Sequence, residues 1–222
     1  MKRLIVLSLL WLLITNACAV DAKEEKEMFF DSMAEQWEGT SCSKEELGKI
    51  EKIVPLFGLQ EGEVVLDAGC GTGRIIPFLL KAVGDRGHVY CLDFSQKMLE
   101  IARQKEYSGN VSFAKSDITQ MPLPSESLDR IICFCTFPHI NNKMDALKEF
   151  FRVLRPGGVL IICNLLGSEE LNAMHEKIGG AVAGDISPGA EEMEWLFLES
   201  NFTPVELLDS RDLYIMKAKK RP

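Results

Sequence analysis

Val64-Val65-Leu66-Asp67-Ala68-Gly69-Cys70-Gly71-Thr72-Gly73 sets a short apolar run ahead of an acid and a turn with glycine at every second position. An apolar run of this length reads as a buried strand, and the turn behind it opens a helix. Glycines let the chain turn sharply and come into contact with a ligand that a Cβ would push away. In a dinucleotide-binding loop the last glycine comes three positions after the second, which leaves room for a pyrophosphate on the helix dipole. Here Gly73 follows Gly71 by two. A nicotinamide-dependent oxidoreductase is therefore the weaker alternative.

Outward from this turn, strands and helices alternate. The sequence predicts strands over 63–67, 88–93, 111–114, 128–134 and 159–163, each apolar enough to be buried on both faces. Between them lie helices over about 72–83, 95–104 and 143–154, with Pro77 tolerable only in a first turn. Strands joined in this way give an α/β fold with a parallel, doubly wound sheet. Upstream, Ser43 and Glu46 make a capping pattern for a helix carrying Ile50, Ile53, Val54 and Phe57. Before it, Phe29, Phe30, Met33 and Trp37 recur at helical spacing. Downstream, helices are predicted over about 169–178 and 190–200, then strands over 203–208 and 212–217. Only Asp209, Ser210 and Arg211 separate the last two. So short a link cannot cross a sheet, so the pair is an antiparallel hairpin.

Further candidate site residues follow from the same layout. Asp93 ends the second strand, where a carboxylate accepts hydrogen bonds from ribose hydroxyls. Phe94 and Met98 come next, placed to line an adenine face, and Ser116-Asp117-Ile118 follows the third strand. The turn Asp67-x-Gly69-x-Gly71-x-Gly73, Asp93, the Asp117 element and Arg152-Val153-Leu154-Arg155-Pro156-Gly157-Gly158 occur in an order that resembles class I S-adenosylmethionine (SAM)-dependent methyltransferases. The resemblance runs from about Phe29 to Lys217 and is nearest to the small-molecule branch that includes the ubiquinone and menaquinone enzymes. It implies a Rossmann-like, seven-stranded sheet, mostly parallel with a final antiparallel hairpin strand. It also implies SAM as cofactor, with Asp67, Gly69, Cys70, Gly71 and Gly73 around its amino-acid portion, Asp93 on the ribose, and Phe94, Met98, Asp117 and Ile118 about the adenine.

Methyl transfer from a sulfonium is an in-line displacement, so positioning is the main task and a base is needed only for some acceptors. His139, just past the fourth strand, is the first candidate base and His175 the second. Phe29, Phe30, Trp37, Phe137 and Met174 are available to line an apolar acceptor pocket. The segment punctuated by Gly179-Gly180 and Ser187-Pro188-Gly189 is either a flap over that pocket or a surface loop. The expected activity is methylation of a small, apolar or aromatic acceptor, with a SAM-binding protein lacking transferase activity as the alternative.

Composition sets the limits. With 222 residues, 46% of them apolar and 26% charged, the chain suits one soluble domain. A net charge of −8 repels polyanions, so nucleic acid is not an expected partner, and the basic residues Lys217, Lys219, Lys220 and Arg221 read as a solvated end. Seven cysteines among strand and turn residues read as reduced thiols. Cys133 and Cys135 are read as facing opposite sides of the sheet, so a metal site with His139 is not expected. Residues 1–20 stand apart: Lys2 and Arg3 precede an apolar run from Leu4 to Ile14, then Ala17-Cys18-Ala19, a signal-peptide layout that also loosely matches a lipobox. A cytosolic cofactor and thiol-bearing strands argue instead for a cytoplasmic enzyme whose domain covers 28–218. Membrane association is expected only if residues 1–20 are retained.

Overall fold

The computed structural model describes residues 22–221, so the signal-like segment at 1–20 lies outside the described residues. A 20-residue helix, α1 (Ala22–Ser41), comes first, followed by α2 (Lys44–Ile53) and a short 3₁₀ turn ended by Gly58 in the left-handed conformation. The Ser43 hydroxyl caps α2 by accepting from the Glu46 amide. The alternating part runs β1 (Val64–Ala68), α3 (Ile76–Val83), β2 (His88–Asp93), α4 (Gln96–Arg103), β3 (Val111–Lys115), β4 (Leu128–Phe134), α5 (Lys143–Val153) and β5 (Leu154–Asn164). It closes with α6 (Ser168–Ile178), α7 (Ala190–Glu199), β6 (Phe202–Ser210) and β7 (Leu213–Lys220).

The strands form one seven-stranded sheet in the order β3-β2-β1-β4-β5-β7-β6. All neighbours run parallel except at β7, which lies antiparallel between β5 and β6. The chain winds one way from β1 to β3 and the other way from β4, so the glycine turn after β1 lies at the switch point, where open α/β sheets bind ligands. Side-chain alternation divides the core between the two faces. Leu66, Leu128, Phe150, Phe197 and Tyr214 pack on one, and Val65, Ile76, Leu79, Ile161 and Ile50 on the other. Cys133 belongs to the first layer and Cys135 packs against the second, but not because of their spacing: two residues apart on one strand would share a face, and the two part because β4 ends at Phe134 and Cys135 turns the chain with a φ of 53°.

A third cluster sits over the carboxyl ends of the strands. Lys26, Phe30 and Ala34 recur every fourth residue on one face of α1 and are buried, the latter two against Met98 and Val182. Thus α1 begins at Ala22 and buries a side chain ahead of the expected domain start at Met28.

Three expectations are corrected. First, α3 begins at Ile76 rather than near Thr72, because the turn holds Gly71 and Gly73 at positive φ and Pro77 sits in the first helical turn. Second, the final strands are longer than predicted and pair up to Ser210 and Leu213, leaving only Arg211 and Asp212 between them. Third, the basic end is not a solvated tail. Lys217 and Lys219 lie in β7, Lys217 pairs with Glu206, and Lys220 is buried, donating to the Leu154 carbonyl at 2.8 Å. The Lys220 ammonium also pairs with Glu126 and lies over the Phe151 ring, contacts that offset the desolvation of a buried charge.

Candidate active site

The glycines of the turn serve two purposes. Gly69, Gly71 and Gly73 all have positive φ, at 79°, 54° and 82°. A Cβ on Gly69 would stand 2.1 Å from the Thr136 side chain, and one on Gly73 would stand 2.5 Å from the Tyr107 hydroxyl. These two are glycine because the protein packs against them, and Gly73, unlike Gly69 and Gly71, does not line the cleft. Nothing lies within 4 Å of a Cβ on Gly71. Its amide donates to Asp93 Oδ2 at 2.8 Å, and its other side faces open space.

The space beside Gly71 is the first of two lobes of one cleft. Asp67, Cys70, Gly71, Asp93 and Met98 line the first, whose empty volume is about 570 Å³; Ser116, Asp117, Ile118 and Asn141 line the second, of about 740 Å³. Gly69, Phe94, Thr136 and His139 are common to both.

Asp67 is 1% exposed, and neither of its carboxylate oxygens has a hydrogen-bond partner. Burial, with Asp93 adding to it, pushes this carboxyl up to about 8, against the pull of the Arg74 guanidinium. A buried carboxylate without a donor is costly, and a ligand ammonium is the natural complement. Asp93 accepts from the amides of Gly71 and Ser95, both at 2.8 Å, and burial pushes it up to about 6. A carboxylate has about four lone-pair sites, so two remain for ribose hydroxyls. Arg74 lies over the Phe134 ring at 4.8 Å, with its nearest carboxylate, Glu46, 3.9 Å away. It is a cation suited to a ligand carboxylate.

Asp117 is engaged on both oxygens. One accepts from the amide and hydroxyl of Thr119 at 2.8 Å each, and the other pairs with Lys23 of α1 at 2.6 Å. Burial alone would push its carboxyl up; the Lys23 and Thr119 donors outweigh it and hold the group below its ordinary value.

His139 ends the 3₁₀ turn after β4 and faces both lobes. Its Nδ1 lies 2.6 Å from Asp185 Oδ2. Burial lowers its basicity, opposed by the hydrogen bond and charge of Asp185. Asp185 itself is held below its ordinary value, since the donors His139 and Lys26 outweigh its burial. An ionised carboxylate only accepts, so Nδ1 carries the proton and Nε2 keeps its lone pair. His175 is not on the cleft: it is buried behind His139 at 5.0 Å between rings, with Nδ1 against the Asp185 carbonyl at 2.8 Å. It supports the segment carrying Asp185 and lines neither lobe.

That segment is neither a free flap nor a plain surface loop. Asp185 and Ser187 are buried, Asn172 bonds Ser187 through both backbone groups, and the Tyr214 hydroxyl donates to the Pro188 carbonyl. Sequence reasoning missed Asp185, Lys26 and Arg74. Asp185 is the one acid between Glu176 and Glu191, in a run rich in glycine, and Lys26 shares helical spacing with Phe30 and Ala34. Both signals were present but short.

A switch-point turn open only at Gly71, an orphaned acid beside it, a ribose-type acid on β2 and a reversed β7 together define the SAM-dependent methyltransferase class. The chain belongs to the methyltransferase-domain family, whose model matches residues 59–204. It is 29% identical over 182 residues to demethylmenaquinone methyltransferase of Geobacillus kaustophilus, covering 71% of this chain and 78% of that one. It is 32% identical over 154 residues to the enzyme of the same name from Staphylococcus aureus, covering 66% of this chain and 64% of that one. The second match thus spans just under two thirds of its relative. Among solved structures, a SAM-dependent methyltransferase from Aquifex aeolicus superposes with a TM-score of 0.68 at 26% identity, over 86% of this chain and 98% of that one. The protein is a SAM-dependent methyltransferase, and the nicotinamide alternative falls with this match and with the tight glycine spacing.

Proposed function

We propose that this enzyme methylates a small aromatic acceptor bearing an acidic hydroxyl, of the quinol type, with His139 as general base. The observation that carries the reading is the His139–Asp185 pair facing a cleft whose other walls include Phe30, Trp37, Phe94 and Phe134. The names of the two curated relatives support the same acceptor class.

Asp67 is suited to the cofactor's ammonium and Arg74 to its carboxylate. Asp93 suits the ribose, and Asp117 with Ile118 the adenine. Bound there, SAM supplies an electrophilic methyl on a sulfonium that leaves as a neutral thioether. His139 Nε2 accepts the hydroxyl proton as the acceptor's oxygen, or the ring carbon it activates, forms the bond to methyl. Asp185 holds the imidazole in the required tautomer and stabilises the imidazolium that results. Phe30 and the rest of α1 keep water from the base.

The test is turnover with SAM and a panel of quinols and phenols, with methyl position read by mass spectrometry. Methylation of a naphthoquinol in preference to amines and carboxylates supports the reading. Saturating SAM binding with no transfer to any hydroxyl-bearing aromatic overturns it.

We further place the enzyme in the cytoplasm, with a working domain from α1 to β7 that does not need residues 1–20. Among the described residues no helix is long and apolar enough to cross a membrane. N-terminal sequencing of protein recovered from fractionated source cells decides this. A mature product beginning near Cys18 or Val20 outside the cytoplasm overturns the placement.

A further inference from the structure

We propose that Lys26, on the N-terminal helix, is a positioning residue that holds Asp185 against His139, so that a helix outside the family's matched segment completes the base. The inference rests on the reading of His139 as base. Lys26 lies 33 residues ahead of the matched segment, counting from 26 to 59.

The geometry is specific. Lys26 is 6% exposed and its ammonium makes three hydrogen bonds: to Asp185 Oδ1 at 2.5 Å, to Asn141 Oδ1 at 2.7 Å and to the His139 carbonyl at 2.9 Å. An ammonium has three protons, so all are used. Asp185 stands between two donors, giving Oδ1 to the Lys26 ammonium and Oδ2 to His139 Nδ1. One side chain therefore fixes the carboxylate that orients the imidazole and the backbone that carries it. Held this way, the carboxylate cannot turn away from Nδ1 without leaving a buried ammonium unpaired, a costly exchange.

The groups that act on His139 are Lys26 from α1, Asp185 from the segment after α6, and His175 from α6. Lys143 at the start of α5 also acts on Asp185 through its charge on that network. Phe30, edge-on to the imidazole at 5.0 Å, adds burial without charge. Lys26 and His175 oppose protonation of His139, and Asp185 favours it. Losing the Lys26 ammonium leaves Asp185 wholly to the imidazole and makes it easier to protonate; losing the Asp185 charge does the reverse.

The chain has three histidines, so each imidazole is resolved by proton NMR and assigned with His88→Asn and His175→Asn. The expected result is that Lys26→Met moves the His139 titration midpoint up and Asp185→Asn moves it down, while Lys26→Arg stays near the parent. In turnover, Lys26→Met lowers kcat by about tenfold, part of the base contribution, and moves the acid limb to higher pH. Should Lys26→Met fail to fold, Asp185→Asn and Lys26→Arg carry the test. A His139 midpoint in folded Lys26→Met that matches the parent overturns the proposal, whatever Asp185→Asn does. Midpoints that shift as described while His139→Ala retains full methyl transfer leave the Lys26 contact standing and overturn the base assignment instead.

Discussion

SAM binding should draw a proton off Asp67, and the structure fixes how many. In the cofactor-free protein burial, with Asp93 adding to it, pushes this carboxyl up to about 8. At pH 7 roughly 0.9 of the molecules therefore carry it neutral, whereas an ammonium seated on Asp67 requires the carboxylate. Each binding event then releases about 0.9 proton at pH 7, and affinity rises about tenfold, or about 1.4 kcal/mol, per pH unit until it levels off above about pH 8. Asp93, pushed up to about 6, steepens the lower end of the same curve. Calorimetry in two buffers of unlike ionisation enthalpy gives the proton count from the difference in apparent heat. The stability of the free protein carries the same signature. The unfolded chain ionises Asp67 at an ordinary 3.8 and the folded one at about 8, so between these values the unfolded state binds fewer protons and stability falls as pH rises. Cofactor-free Asp67→Asn should melt above the parent at pH 8 and show no proton release. Zero release in the parent, with affinity flat from pH 6 to 8, would refute the pairing of Asp67 with the ammonium.

Gly71→Ala should abolish SAM binding in a protein that still folds, with a somewhat lower Tm, because its Cβ meets only open space while the φ of 54° strains any side chain; circular dichroism and calorimetry separate the two. Gly69→Val should instead lower Tm, since its Cβ collides with Thr136. Asp93→Ala is expected to weaken SAM binding by about 2–4 kcal/mol and to lower Tm as well, since the carboxylate also holds the Gly71 and Ser95 amides. His139→Ala should keep SAM affinity and lower methyl transfer about 10²-fold, with the acid limb of the rate profile lost because the base below its folded midpoint no longer titrates; a change under threefold would return His139 to a packing role.

What the sequence made legible was what local pattern encodes. Apolar runs broken by turns yielded the strands and the final hairpin, and the Val64–Gly73 stretch with Asp93 supplies residues that line one lobe of the cleft. The near misses have one cause each. Helix α3 starts late because positive φ at Gly71 and Gly73 holds the chain in a turn that periodicity does not register. Lys220 looked solvated because charge alone does not show that a strand will carry it beneath the Leu154 carbonyl. The base's partners escaped for a different reason. Lys26 and Asp185 are 159 residues apart, in an acidic helix and a glycine-rich loop, and no local pattern links them. Proximity of that kind is decided by how α1 packs across the strand ends. The same packing demoted His175, which the sequence placed near the cleft and the fold sets behind His139.

The Lys23–Asp117 pair has a consequence for how the cofactor arrives. On the proposed placement of the adenine, the Lys23 ammonium sits on the carboxylate that would accept from the adenine amino group and would compete for it. Only molecules in which the competitor has let go are ready for the whole ligand, and the observed affinity is the intrinsic one scaled by that ready fraction. The lysine side chain is 55% exposed and so open to screening by dissolved ions. Moderate salt should thus tighten the adenosine half of the ligand, the reverse of what screening does where the amino-acid half meets Asp67 and Arg74. Adenosine and SAM should accordingly respond to ionic strength with opposite signs.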